Sequence, residues 1–198
     1  MKEAFGILAA LVAIVAYIPY LRGIRTGAVQ PHPYTWLISA LVSGIILAGQ
    51  IADGAGAGAI PTATSEVFTL IIFVLSLKYG MRHITKIDTV FLLLAFGSIV
   101  PWLLTKDPTL SVVFAVAIDL IAFVPTIRKT WISPSTESPA LYGANIIRHI
   151  LTMFSLEAYT IATSLHSIVM TISNIGITLM ILVRKRYTSQ VKSMDTSA

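Results

Sequence analysis

The chain has 198 residues, of which 56% are apolar and only 12% charged, with a mean hydropathy of +0.83; soluble domains carry roughly 25% charged residues. That composition excludes an ordinary water-soluble domain and places the chain in a bilayer, where about 20 residues per spanning helix let seven spans nearly fill the sequence, with no room for a soluble catalytic domain. The net charge of +5 is read by position rather than by sum and does not signal nucleic acid, while the absence of cysteine excludes disulfides, thiolate metal sites and cysteine nucleophiles.

Spans are predicted at 4–20, 34–52, 61–78, 88–104, 109–127, 139–157 and 167–183, each apolar and bounded by Pro, Gly or charge. The first lacks the basic n-region and cleavage site of a signal peptide and is expected to be retained as a helix. Between spans 2 and 3, Asp53 to Ala59 alternates Gly and Ala. Without a Lys-Ser/Thr ending or a preceding strand it is not a phosphate loop, and it reads as a flexible outer connection. Trp36 and Trp102, near span ends, and Trp131, in a loop, read as interfacial anchors. Ser135 to Ser138 place capping hydroxyls and Glu137 before Pro139, at the start of span 6. The polar stretch from Tyr187 to Ala198 is expected to be a disordered tail.

Pro19 to Lys78 is repeated, without a gap, 106 positions later as Pro125 to Arg184: Pro19 matches Pro125, Arg22 matches Arg128, Pro33 matches Pro139 and Lys78 matches Arg184. Each half is a three-helix unit, and span 4 joins them. An odd helix between two triplets lets both enter the membrane in the same direction, so the repeats are parallel, related by an axis along the membrane normal. Eleven of the fourteen cations follow spans 1, 3, 5 and 7; Lys2 and Lys106 fall on the other side and Arg148 inside span 6. The positive-inside rule then sets the N-terminus outside and the C-terminus in the cytoplasm. The expected fold is all-α: a polytopic membrane protein with repeat 1 at 1–80, the linker helix and its loops at 81–108, repeat 2 at 109–186 and a cytoplasmic tail at 187–198. Its expected location is the cell membrane, as a multi-pass protein (the inner membrane in a bacterium), and a homo-oligomer is compatible with this plan.

This 3+1+3 plan, with Tyr17-Ile18-Pro19-Tyr20-Leu21-Arg22 and Phe123-Val124-Pro125-Thr126-Ile127-Arg128-Lys129, resembles the PQ-loop and SWEET-like superfamily of seven-helix transporters and receptors over nearly the whole chain. Tyr20 and Thr126 stand where the superfamily has the Gln of its Pro-Gln dipeptide. The segments Pro125 to Lys129 and Pro134 to Glu137 also resemble a group of small bacterial membrane proteins with a Pro-Thr-x-Arg-Lys segment and no established activity. The transporter resemblance implies that Pro19, Pro33, Pro125 and Pro139 act as cytoplasmic hinges. On local grounds alone, Pro33 and Pro139 equally suit the first turn of a helix. It also implies that an asparagine of span 7, here Asn174, contacts substrate.

Ionisable groups within spans face the bundle or a cavity and are site candidates by default. Asp119 lies nine residues from Arg128, and Arg148 nine from Pro139, so both sit at roughly 13 Å depth; Asn174 comes to about 15 Å and Asn145 to about 9 Å. Asn145, Arg148, Thr152 and Ser155 form one helical stripe, with His149 turned about 100° from Arg148. Asp119, Asn145, Arg148 and Asn174 either line a solute site or, for the charged pair, form a bridge that fixes helix packing. Glu66, Asp119 and His149 are candidates for proton coupling, Glu66 equally for an outward vestibule. The repeat counterparts of Asp119, Arg148 and Asn174 are Ala13, Val42 and Phe68, so repeat 1 is expected to offer an apolar wall.

Two functions fit: a transporter that moves a small polar solute by alternating access, or a non-transporting sensor or partner subunit on the same scaffold. No His-Glu-x-x-His, Gly-x-Ser-x-Gly or paired catalytic aspartates occur, so no enzymatic role is expected. Span 7 has no internal lysine for a retinal Schiff base, the histidines are scattered, and neither a cofactor nor a metal is expected. Within the transporter reading, a sugar, an amino acid or a small carboxylate fits equally.

Overall fold

Long apolar runs wind into helices, which satisfy the backbone's hydrogen bonds internally. A computed structural model describes residues 1–27, 31, 33–80, 86–132, 134 and 139–195. In chain order these form α1 (Lys2–Arg25), α2 (Pro33–Ala52), a 3₁₀ turn (Gly56–Ala59), α3 (Ile60–Tyr79), α4 (Lys86–Gly97), α5 (Val100–Thr105), α6 (Pro108–Ile132), α7 (Pro139–Ser155) and α8 (Ile161–Asp195). The described residues contain no strand. The stretches Lys2–Arg25, Pro33–Ala52, Gly56–Tyr79 and Ile161–Arg186 are long and apolar enough to cross a membrane; Leu92–Thr105 and Pro108–Ile121 are shorter apolar helices.

The distribution of polarity is inverted relative to a soluble domain. Leu11, Val15, Val74, Phe154, Ile172 and Leu179 point outward, while Thr62, Thr69, Ser111, His149, Ser167 and Asn174 are buried. This is compatible with a membrane protein, since lipid rewards an apolar exterior and interhelical polar contacts inside. Buried hydroxyls largely bond carbonyls one turn back on their own helix, as Thr69 does to Ser65, Thr152 to Arg148 and Ser155 to Thr152.

The packing order is the same in both halves. α3 contacts both α1 and α2, and α8 contacts both α6 and α7; across the halves α1 meets α7 and α2 meets α6. Small residues permit the close approaches. Gly6, Ala9, Ala10 and Ala13 form the buried face of α1 at spacings of three, one and three. The main apolar core lies where α2 meets α6, built from Ile38, Val42, Ile45, Ile46, Val112, Ala115 and Val116, with Ala95 of α4 and Ala162 of α8 closing it.

Several sequence expectations are revised. The predicted fourth span divides into α4 and α5 at Ser98–Ile99, where the Ser98 hydroxyl bonds Ala95 and Pro101 opens the next helix. Trp131 lies in the last turn of α6 rather than in a loop: Arg184 stacks 4.7 Å over its ring and donates to its carbonyl, a C-terminal helix closure of the kind cations favour. Of the stretch 187–198 expected to be a disordered tail, 187–195 continue α8 as helix, and 196–198 lie outside the described residues. Pro33 and Pro139 are the first residues of α2 and α7, and Pro19 sits inside α1, which runs on to Arg25. Pro125 lies within α6, but its side chain is outside the described residues, as are the capping segment 135–138 and residues 81–85.

The connection read as flexible is instead a structured part of the fold. Ala55 and Ala57 are buried, and the 53–59 stretch interlocks with the α7–α8 connection of the other half. The Glu157 amide donates to the Ala55 carbonyl at 3.0 Å, the Thr160 hydroxyl to Asp53 at 2.6 Å and the Gln50 amide to the Thr163 carbonyl at 3.3 Å. Glycine makes this fit. A Cβ on Gly58 would press on Leu156, one on Gly56 on Glu157, and one on Gly6 would stand 2.6 Å from the Ala57 carbonyl oxygen.

Candidate functional site

Tyr17 of α1 stacks on Phe68 of α3 with centroids 5.0 Å apart, which fixes the phenol against the junction of the two halves. There the helices line a half-open cavity of about 130 Å³ formed by Tyr17, by Ser39, Val42, Ser43 and Ile46 of α2, by Thr62, Ser65 and Thr69 of α3, and by Asp119, Arg148 and His166 of α6, α7 and α8. Helical spacing explains the lining: 39, 43 and 46 fall on one face of α2, and 62, 65 and 69 on one face of α3. All three charged or titratable groups apart from Tyr17 come from the second half.

These groups are tied into two short chains. Asp119 Oδ2 lies 3.5 Å from His166 Nε2. Arg148 donates through Nη1 to Ser65 Oγ at 3.3 Å and through Nη2 to His149 Nε2 at 2.7 Å. Because a guanidinium only donates, His149 Nε2 must accept; its proton is therefore on Nδ1, which faces Ser167 Oγ at 3.5 Å. The His149 and His166 rings meet edge to face at 5.3 Å, bringing the two chains side by side.

The direct Asp119–Arg148 bridge expected from their equal depths is not formed. Depth along a helix says nothing about lateral order: α8 packs against both α6 and α7, and His166 on α8 takes the carboxylate. Arg148 and Asp119 share the cavity wall and act on each other electrostatically. Asn145 is not among the lining residues. Asn174 is buried and donates to the Met170 carbonyl of its own helix at 2.7 Å, outside the cavity. Of the α7 stripe only Arg148 reaches the cavity, since Thr152 and Ser155 bond their own backbone. His149 faces α8 as its angular offset implies. Glu66 faces Ser43 and Gly44, with Oε2 buried and without a hydrogen-bond partner, beside the cavity rather than in it.

The expected apolar wall of the first half is also overturned. Val42, the counterpart of Arg148, does line the cavity with Ile46, but the same half also supplies Tyr17 and five hydroxyl residues, and Ala13 and Phe68, the counterparts of Asp119 and Asn174, do not line it. His166 was missed because histidines scattered in sequence gave no spacing signal. The hydroxyls were legible in principle as the helical sets 39/43 and 62/65/69. Among the described residues no group of three or more His, Asp or Glu could hold a metal ion. Comparison with protein-family models, curated proteins and solved structures finds no match for this chain.

Proposed function

We propose that the chain is an integral membrane transporter that moves a small polar solute by alternating access, the α1–α3 and α6–α8 triplets rocking about the cavity between them. The reading keeps the resemblance to PQ-loop and SWEET-like transporters, seven spans with α4 and α5 as one broken span, parallel repeats, and an N-terminus outside. One observation carries it: a solute-sized polar cavity lined from both triplets, with an arginine, a carboxylate and an imidazole on its wall. A purely structural bundle would gain more from filling such a space with apolar side chains. Pro19 and Pro125, inside α1 and α6, are the interior positions at which those helices would flex.

The test is uptake into liposomes containing the purified chain, screened over labelled sugars, amino acids and small carboxylates. Saturable uptake that Arg148→Gln abolishes is the expected result. Absence of flux for every solute, with a partner protein that co-purifies stoichiometrically, would instead establish the sensor or partner-subunit reading. The interlocked connections at 53–59 and 156–160 favour that alternative, since they fasten the two halves together.

A further inference from the structure

One cation and one anion, Arg148 and Asp119, share the cavity wall without a direct bridge. Asp119 has His166 as its partner. Arg148 has only the Ser65 hydroxyl and His149 Nε2, both neutral, and among the described residues no carboxylate lies within salt-bridge distance of it. A guanidinium carries five donors, and two are used within the protein here. Asp119 acts on it only from a distance; a buried charge is costly unless its hydrogen bonds are made, and Arg148 forms part of the cavity wall.

Resting on the transporter reading, we infer that the solute is a small monocarboxylate, its carboxylate bound by Arg148 and its polar substituent by the hydroxyls of α2 and α3. Size is compatible with this: the cavity is about 130 Å³, close to the ~150 Å³ engineered cavity that accommodates benzene, so a solute of about six non-hydrogen atoms fits. Charge supports it too. A monocarboxylate brings one negative charge to Arg148, whereas a divalent oxyanion would bring a second beside Asp119. Geometry favours a planar carboxylate over a spherical halide, because the guanidinium fork binds two oxygens in parallel. Ser39 and Thr62 then offer donors and acceptors to a hydroxyl or keto group of the solute, which a plain hydrocarbon tail would leave unpaired.

The test uses the full-length purified chain in detergent, at constant ionic strength, with lactate and its neutral isostere lactamide as probes and nitrate and chloride as inorganic anions. Thermal unfolding is read for the native chain, Arg148→Lys and Arg148→Gln. Lactate at millimolar concentration is expected to raise the midpoint by a few degrees, lactamide and the inorganic anions not at all. Arg148→Lys should keep part of the shift, and Arg148→Gln should weaken lactate at least about tenfold. Equal stabilisation by lactate and lactamide, a larger effect of nitrate or chloride, or no effect of lactate would overturn the inference. These comparisons use the native chain alone, so a poorly folding variant leaves the result decisive. Flux separates the two claims: lactate binding without uptake refutes transport and keeps the site, whereas uptake of a neutral solute with no lactate binding keeps transport and refutes the carboxylate.

Discussion

The two triplets share a packing order but divide the chemistry. The α1–α3 half presents hydroxyls to the cavity, groups that donate or accept as the neighbour requires. The α6–α8 half presents Arg148, Asp119 and His166, and satisfies them mostly within itself through Asp119–His166 and Arg148–His149. Ser65 is the exception, the first-half hydroxyl that reaches a charged group across the junction. The division teaches how two triplets packed alike can carry an asymmetric site. Charges need partners with fixed geometry and so cluster in one half, while hydroxyls tolerate relative motion of the halves because each can rotate to a new partner.

The largest expected effect comes from removing the cation. Arg148→Gln should reduce solute affinity by about 1.5–3 kcal/mol, the range for hydrogen bonds to charged groups, measured as a shift in the half-saturation of uptake. If the first half carried recognition, Arg148→Gln would instead leave affinity within about twofold of native. Next is a test of the fastening between halves. Gly6→Ala drives a methyl toward the Ala57 carbonyl, a backbone atom that cannot rotate away, and should destabilise the protein by about 1–3 kcal/mol in thermal or denaturant unfolding. An unchanged midpoint would show that the 53–59 segment yields freely. A smaller effect is expected at the junction itself. Ser65→Ala removes one hydroxyl partner of Arg148 and should weaken solute binding by about 1 kcal/mol, whereas Ser39→Ala, which leaves the guanidinium untouched, should cost less. A reversed order would place recognition at the α2 hydroxyls.

What was legible in the sequence was what depends on one helix at a time. The apolar runs, their proline starts and the inward position of Arg148 and Asp119 follow from hydropathy and the cost of charge in lipid, and the structure places both residues on the cavity wall. What depends on lateral order was not legible. Asp119 and Arg148 have matching depths, yet α8 lies against both their helices and His166 intervenes. Asn174 has the right depth but turns to Met170 on its own helix. The glycines at 56 and 58 read locally as looseness, because the close approach they permit is to Glu157 and Leu156 of the other half, a contact no local pattern encodes.

The smallest predicted effect contrasts two aspartates at opposite settings of α6. Asp119 faces the cavity and is tied to a histidine; Asp107, fully exposed, precedes Pro108 and accepts the Thr109 amide at 2.8 Å, capping the helix. Bonds from the Thr109 backbone amide, and then its hydroxyl, hold the Asp107 carboxyl below its ordinary range. A depressed folded-state value means the unfolded chain binds the proton more readily, so the cap's contribution is fully present above about pH 4. It is lost as pH falls through the lower folded-state value. The difference in unfolding midpoint between the native chain and Asp107→Asn should therefore be flat from neutral pH to about 4 and shrink below it. Because the group is exposed, raised salt should reduce that difference, whereas salt should leave an Asp119→Asn difference nearly unchanged, since partly buried pairs are screened much less. Equal salt sensitivity at the two positions would mean that Asp119 is as open to water as the cap, and the division of the molecule into a charged, enclosed half and an adaptable hydroxyl half would fail at its central residue.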